Sequence, residues 1–143
     1  MREEKKIEIK SSPKRIYDIL IDADIITKWN IGVDEITNKE EGKEYFLKSS
    51  IGDILIVDWE EVENERITWH MKNSAMNSIG YILEPKGDIV ETTLWVDSDD
   101  EKLAKGYEKV GELTLKALKN FVEFLEEGGN PKDFDKKQLI VSQ

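Results

Sequence analysis

Residues 99–127, DDEKLAKGYEKVGELTLKALKNFVEFLEE, read as one long amphipathic helix. Leu103, Tyr107, Val110, Thr114, Ala117, Phe121 and Leu125 recur at the three-and-four spacing that stacks side chains on one helical face. Leu113, Leu118 and Phe124 widen that stripe, while Lys105, Glu108, Lys109, Glu112, Lys116, Lys119, Glu123 and Glu127 form a charged arc opposite. Glu101 with Lys105, Glu112 with Lys116 and Lys119 with Glu123 have the spacing for pairing along the helix. Ser98 or Asp99 can cap the start, Ser98 with Glu101 has capping-box spacing, and Gly128-Gly129-Asn130-Pro131 stops the helix. An apolar face this wide needs a substantial cover, and only the upstream strands can supply it.

Those strands are marked by a change of period. Residues 3–10 alternate, with Ile7 and Ile9 against Glu8 and Lys10. Ser12 then caps a helix with Pro13 in its first turn, and Asp22 caps a second short helix running to Trp29. Six runs of period two follow, at 33–38, 43–50, 53–62, 66–73, 77–84 and 88–97. Short breaks at Glu41-Gly42, Ile51-Gly52-Asp53, Glu63-Asn64-Glu65, 73–76 and Pro85 to Asp88 make neighbouring strands antiparallel. Alternation assigns a core face: Tyr45 and Leu47; Leu55, Val57 and Trp59; Ile67, Trp69 and Met71; Ile79, Tyr81 and Leu83; Val90, Thr92, Leu94 and Val96. The order strand, two helices, six strands, helix gives an α+β architecture. In it a curved antiparallel sheet of about seven strands is completed by pairing of the first strand with the last. The domain is expected over 1–129, with 130–143 as a flexible C-terminal tail or a segment docked on a partner.

Composition narrows the function classes. A chain of 143 residues with 36% charged and 38% hydrophobic residues suits one globular domain with a real core. The net charge of −10 disfavours nucleic acid and anionic membranes. No apolar run reaches the roughly 20 residues a spanning helix needs, so no membrane insertion and a cytoplasmic location are expected. With no cysteine and one histidine, neither a thiolate nor a multi-histidine metal site is available, and no metal or cofactor is expected.

The run Ile7-Glu8-Ile9-Lys10-Ser11-Ser12-Pro13 leads into Ile16-Tyr17-Asp18-Ile19-Leu20, and Ile26-Thr27-Lys28-Trp29 closes the helical pair. With the hairpin Val62 to Trp69 and the closing segment Leu115 to Leu125, these motifs resemble the START-like, or Bet v 1-like (SRPBCC), helix-grip superfamily. More narrowly they resemble its polyketide cyclase/dehydrase and heat-shock-ATPase-activator-homologue branch. The resemblance spans residues 5–127 and departs from the branch at Asn64, where proline is common. It implies a helix-grip fold, β-α-α-β6-α, with the sheet wrapped around a long C-terminal helix. It also implies an apolar or amphipathic ligand such as a lipid, polyketide or quinone held between them. Cofactor-free cyclisation or a protein partner are the alternatives it implies, and the chain is expected as a monomer or weak dimer.

Candidate ligand contacts follow from the face assignments. The inward rings Tyr45, Trp59, Trp69, Tyr81 and Tyr107 combine apolar bodies with polar tips, as a pocket wall requires, and are also ordinary core residues. Met71 and Met76 offer adaptable lining, and Leu47 and Val57 share the same face. From the helix come Leu103, Gly106, Tyr107 and Val110. Gly106 either leaves space over the sheet for a ligand or marks close packing or tolerated surface strain, and Gly111 reads as packing or a slight bend. Trp29 either packs the helical pair or sits at the mouth. No general base falls inside the expected pocket, so no catalytic residue is assigned. His70 faces outward beside Thr68 and Lys72, and Asp58 and Glu60 read as a solvated pair.

Overall fold

The computed structural model describes residues 2–38, 45–49, 52–72 and 76–136. The expected turn at Glu41-Gly42, the turn tips at 50–51 and 73–75, and the tail from 137 lie outside the described residues. Strand β1 is Arg2–Ile9, followed by helices α1, Pro13–Ile21, and α2, Ala23–Trp29. Six strands come next: β2, Val33–Asn38; β3, Tyr45–Ser49; β4, Gly52–Val62; β5, Arg66–Lys72; β6, Met76–Lys86; and β7, Ile89–Ser98. Helix α3 spans Glu101–Glu126, and a short 3-10 turn covers Pro131–Asp133.

All seven strands form one antiparallel sheet in the order β1-β7-β6-β5-β4-β3-β2. The first strand pairs with the last, setting Lys5 opposite Leu94 and Ile9 opposite Val90. Local chemistry starts each helix. Ser12 Oγ accepts from Arg15 N–H at 3.2 Å with Pro13 in the first turn, and Asp22 ends α1 while capping α2 through Asp24 N–H at 3.0 Å. At the β4–β5 hairpin Asn64 adopts φ +62, which proline's ring forbids, so its replacement of the usual proline follows from the turn's own geometry.

Helix α3 lies chiefly over β1 and β7. Its cap is Asp100, whose Oδ1 accepts from Lys102 N–H at 2.9 Å and Leu103 N–H at 3.3 Å, instead of Ser98 or Asp99. The reason is that β7 continues to Ser98, still paired with Met76, so the chain turns only afterwards. Ser98 Oγ supports the cap by accepting from Asp100 N–H at 3.2 Å. At the other end Gly128 has φ +90, Gly129 N–H donates to Phe124 O at 2.9 Å and Gly128 N–H to Leu125 O at 3.0 Å, a Schellman motif. The three anticipated helix pairs form, Glu101 with Lys105 at 3.4 Å, Glu112 with Lys116 at 3.7 Å and Lys119 with Glu123 at 2.9 Å. Lys119 Nζ also reaches Glu8 O at 2.6 Å, and Lys5 pairs with Glu108 at 2.7 Å, tying the helix edge to β1.

The core assignment needs correction in β4. Ile54, Ile56 and Trp59 are buried, whereas Leu55 and Val57 are half-buried on the other side. Ile56 faces Met71 and Asp58 faces His70, so Val57 is the extra residue of a β-bulge that reverses the alternation midway. On the outer face of the sheet Trp95 lies over Gly80, and Arg2 stacks on the indole 4.3 Å from its centroid.

The tail after the Schellman motif is packed as far as it is described. Phe134 meets Phe121 edge-on and Phe124 at a tilt, with centroids 5.0 and 5.5 Å apart, and Lys136 Nζ donates to Asn30 O at 3.0 Å and Val33 O at 2.7 Å. Among the described residues no helix is long and apolar enough to cross a membrane.

Candidate functional site

The two halves of α3 differ in how they meet the sheet. From Thr114 to Val122 the helix buries Thr114, Leu115, Ala117, Leu118, Phe121 and Val122, and there the core is closed. Before Thr114 only Ala104 and Gly111 are buried, and neither side chain can fill the space above β6 and β7. A cavity of about 90 Å³ remains, or about 690 Å³ of non-atom space once its solvent-open mouth is counted. Leu94 and Val96 of β7, Met76, Ile79 and Tyr81 of β6, and Trp69 and Met71 of β5 form its floor. Leu47 of β3 and Ile54 of β4 continue the floor, Asn30, Gly32 and Val33 close one side, and Tyr107, Val110, Gly111 and Thr114 form the roof.

Of the residues singled out from sequence, Leu47, Trp69, Met71, Tyr81, Tyr107 and Val110 meet at this cavity. Tyr45, Val57, Trp59, Leu103 and Gly106 do not line it. Tyr45 and Trp59 stand one row further along an aromatic ladder, with centroids 4.6 Å apart for Tyr45 and Trp59, 4.9 Å for Trp59 and Trp69, and 6.4 Å for Trp69 and Tyr81. Val57 is turned away by the bulge. Leu103 is 40% exposed although its neighbour Ala104 is fully buried, so it stands off the covered face of the helix, and Val110 is 37% exposed at the mouth. Gly106 is exposed, and a Cβ there would meet nothing within 4 Å, whereas Gly111 is buried at the cavity roof, where a Cβ would sit 3.6 Å from Leu94 Cδ2. Trp29 is fully buried in the core and does not line the mouth.

Sequence reasoning missed the α2–β2 corner. Asn30 ends α2, its Oδ1 accepts from Gly32 N–H at 2.9 Å, and its carbonyl accepts from Lys136 Nζ. The signal was an asparagine two residues before a glycine at a helix end, a common turn pattern that becomes a cavity wall only through tertiary placement.

Among the described lining residues none carries a charged side chain. The polar lining residues are neutral: Asn30, Thr114, Tyr81 and Tyr107. Burial alone pushes the Tyr81 hydroxyl well above the ordinary phenol range and raises that of Tyr107. Trp69 Nε1 is buried without a hydrogen-bond partner. The Thr114 hydroxyl donates to Val110 O at 2.8 Å. Such a lining can exclude water and orient a ligand by hydrogen bonds, but offers no carboxylate, imidazole or amine to move a proton.

Elsewhere on β4 and β5, Asp58, Glu60 and His70 bring one potential ligand atom each within 4.8 Å of one another. His70 Nε2 lies 2.7 Å from Glu60 Oε2, and both side chains are substantially exposed. This is a solvent-side contact between β4 and β5, and none of the three residues lines the cavity.

No protein-family model matches the sequence, and no curated protein matches it either. Solved structures do match its shape. The di-domain ARO/CYC protein BexL, from the BE-7585A biosynthetic pathway, superposes with a TM-score of 0.75 at 16% identity, covering 88% of this chain and 47% of that one. The Aha1 dimer from Colwellia psychrerythraea gives 0.70 at 19% identity over 86% of this chain and 96% of that one. A START superfamily protein from Mycobacterium smegmatis gives 0.63 at 19% identity over 87% and 98%. The fold is the START-like helix-grip fold, a curled seven-stranded sheet around a long C-terminal helix.

Proposed function

We propose that this helix-grip protein binds an apolar or amphipathic small molecule, of the lipid, polyketide or quinone kind, between the sheet and the first half of α3. The observation that carries the reading is the cavity under Tyr107, Val110 and Gly111, apolar in its lining and open at one side. Each 100 Å² of apolar ligand surface taken from water there contributes about 2.5 kcal/mol. At about 90 Å³ the cavity is smaller than the ~150 Å³ site that holds benzene in an engineered core. A ligand therefore inserts a ring or a chain end and leaves its remainder at the mouth.

The test is native mass spectrometry of freshly purified protein, followed by thermal shift and tryptophan quenching with aromatic and long-chain compounds. Binding that raises the melting temperature and is weakened by Tyr107→Ala supports the reading. No co-purified molecule and no thermal or fluorescence response across the panel refutes it. A protein-interaction reading draws on Leu103 and Val110, apolar and exposed on one side of α3, and on a structural neighbour that is itself a dimer. It is favoured if sedimentation shows self-association abolished by Leu103→Ser while no small molecule has an effect.

A further inference from the structure

One side of the cavity is left open by the described residues. Helix α3 rests on β1 and β7 at one end of the sheet, while the cavity runs on to Val33 of β2, the strand at the other edge. The open side therefore lies between α3 and the α2–β2 corner, and the apolar side chain of Val110 stands exposed there. The chain after α3 travels towards that opening. Gly129 N–H closes the helix on Phe124 O, Phe134 packs on Phe124 and on Phe121 about one turn back, and Lys136 Nζ holds the carbonyls of Asn30 and Val33, two cavity-lining residues. Seven residues follow, Lys137-Gln138-Leu139-Ile140-Val141-Ser142-Gln143, with three consecutive branched apolar side chains at their centre. Seven extended residues reach about 23 Å. Between Phe121 and Val110 the helix rises only about 16 Å.

We propose that Leu139, Ile140 and Val141 of the same chain dock across the mouth of the cavity, against Val110 and the α2–β2 corner, and compete there with the part of a ligand that protrudes. The competition rests on the small-molecule reading above; the docking does not. The segment's aliphatic side chains match a rim that is apolar and without charge, and contact between them takes both out of water. The occupant is this chain's own tail because Lys136 already holds its start at the rim, so docking loses no translational freedom of a separate partner. A second copy would bring another net charge of −10 to the encounter. The docked segment covers the opening and does not fill the space beneath Gly111.

The experiment places a nitroxide on Ser142→Cys in the full chain, which has no cysteine of its own, and reads the broadening of amide signals in proton–nitrogen spectra. A second chain carries the same label together with Leu139→Ser, Ile140→Ser and Val141→Ser. The expected result is strong broadening at Tyr107, Val110 and Gly111 in the first chain that falls away in the second. Gly87, between β6 and β7, should be little affected in either. Broadening at the mouth that is absent, or equal in the two chains, overturns the docking. So does broadening passed from labelled protein to unlabelled nitrogen-15 protein in a mixture, which would make the occupant a second copy's tail. Octan-1-ol, too long to fit wholly inside a cavity of about 90 Å³, is then titrated into both chains without the nitroxide. It should bind the serine chain at least about threefold more tightly, the factor by which a mouth covered in about two molecules of three lowers apparent affinity. Equal affinities overturn the competition. Octan-1-ol binding to neither chain overturns the small-molecule reading, and the broadening still decides the docking.

Discussion

Replacing Gly111 with alanine should stabilise the protein and weaken its ligand, whereas the same change at Gly106 should only stabilise. Both glycines lie inside α3, where alanine is favoured over glycine by about 0.8–1.0 kcal/mol. At Gly106 the new methyl meets nothing and stays in water, so the propensity term is the whole effect. At Gly111 it lies 3.6 Å from Leu94 Cδ2, an ordinary contact that needs no rearrangement, and burying it adds about 0.8 kcal/mol. For a domain of this size 1 kcal/mol moves the melting temperature by roughly 3–5 °C. Gly106→Ala should therefore raise it by about that much, and Gly111→Ala by nearly twice as much. The Gly111 methyl also occupies cavity space, and a ligand that forfeits one methylene's worth of burial binds about fourfold more weakly. Thermal denaturation followed by circular dichroism, with a ligand titration on each variant, measures both quantities. A Gly111→Ala protein less stable than the parent, or equal ligand affinity in the two variants, would refute the placement of the cavity roof.

Asp100→Ala should cost about 1 kcal/mol of stability and Asp99→Ala close to nothing, since only Asp100 accepts the first helical N–H groups; denaturant melts of the pair check this. Gly80→Ala should destabilise by about 1–3 kcal/mol, because a Cβ there would sit 2.5 Å from the Trp95 ring, and Trp95→Ala in the same chain should recover part of the loss of packing room. Tyr17 donates to Glu61 at 3.1 Å, and burial first, then that carboxylate, push its hydroxyl up to about 12. The folded pKa exceeds the unfolded value, so the stabilisation is complete below about pH 10 and is lost as pH rises towards 12. Ultraviolet titration of the phenols in the parent and in Tyr17→Phe should show one late component missing from the variant.

Much of the architecture was legible because it follows from period. The alternation in residues 66–71 and 90–96, the Ser12-Pro13 start and the double glycine after Glu127 each specify backbone geometry locally. The bulge at Val57 was not legible, since one inserted residue leaves both Ile54-Ile56 and Leu55-Val57 as acceptable inward sets, and only pairing with β5 decides between them. The helical stripe puts Leu103 and Val110 inward, but in the first half of α3 the sheet covers Ala104 and Gly111, one position on, so Leu103 and Val110 stand exposed at the edge of the buried face. Gly106 and Gly111 look alike in sequence; the sheet beneath one and solvent beside the other distinguish them. Asn30 and Lys136 are 106 residues apart, and their meeting at the cavity's side is set by the packing of Phe134 on the end of α3.

A crystal of the protein pressurised with xenon tests the central claim most directly, because xenon occupies apolar cavities that side chains leave empty. A xenon peak in contact with Trp69, Leu94 and Gly111 is the result predicted here. Density for side chains closing that space, with xenon bound elsewhere or nowhere, would contradict it.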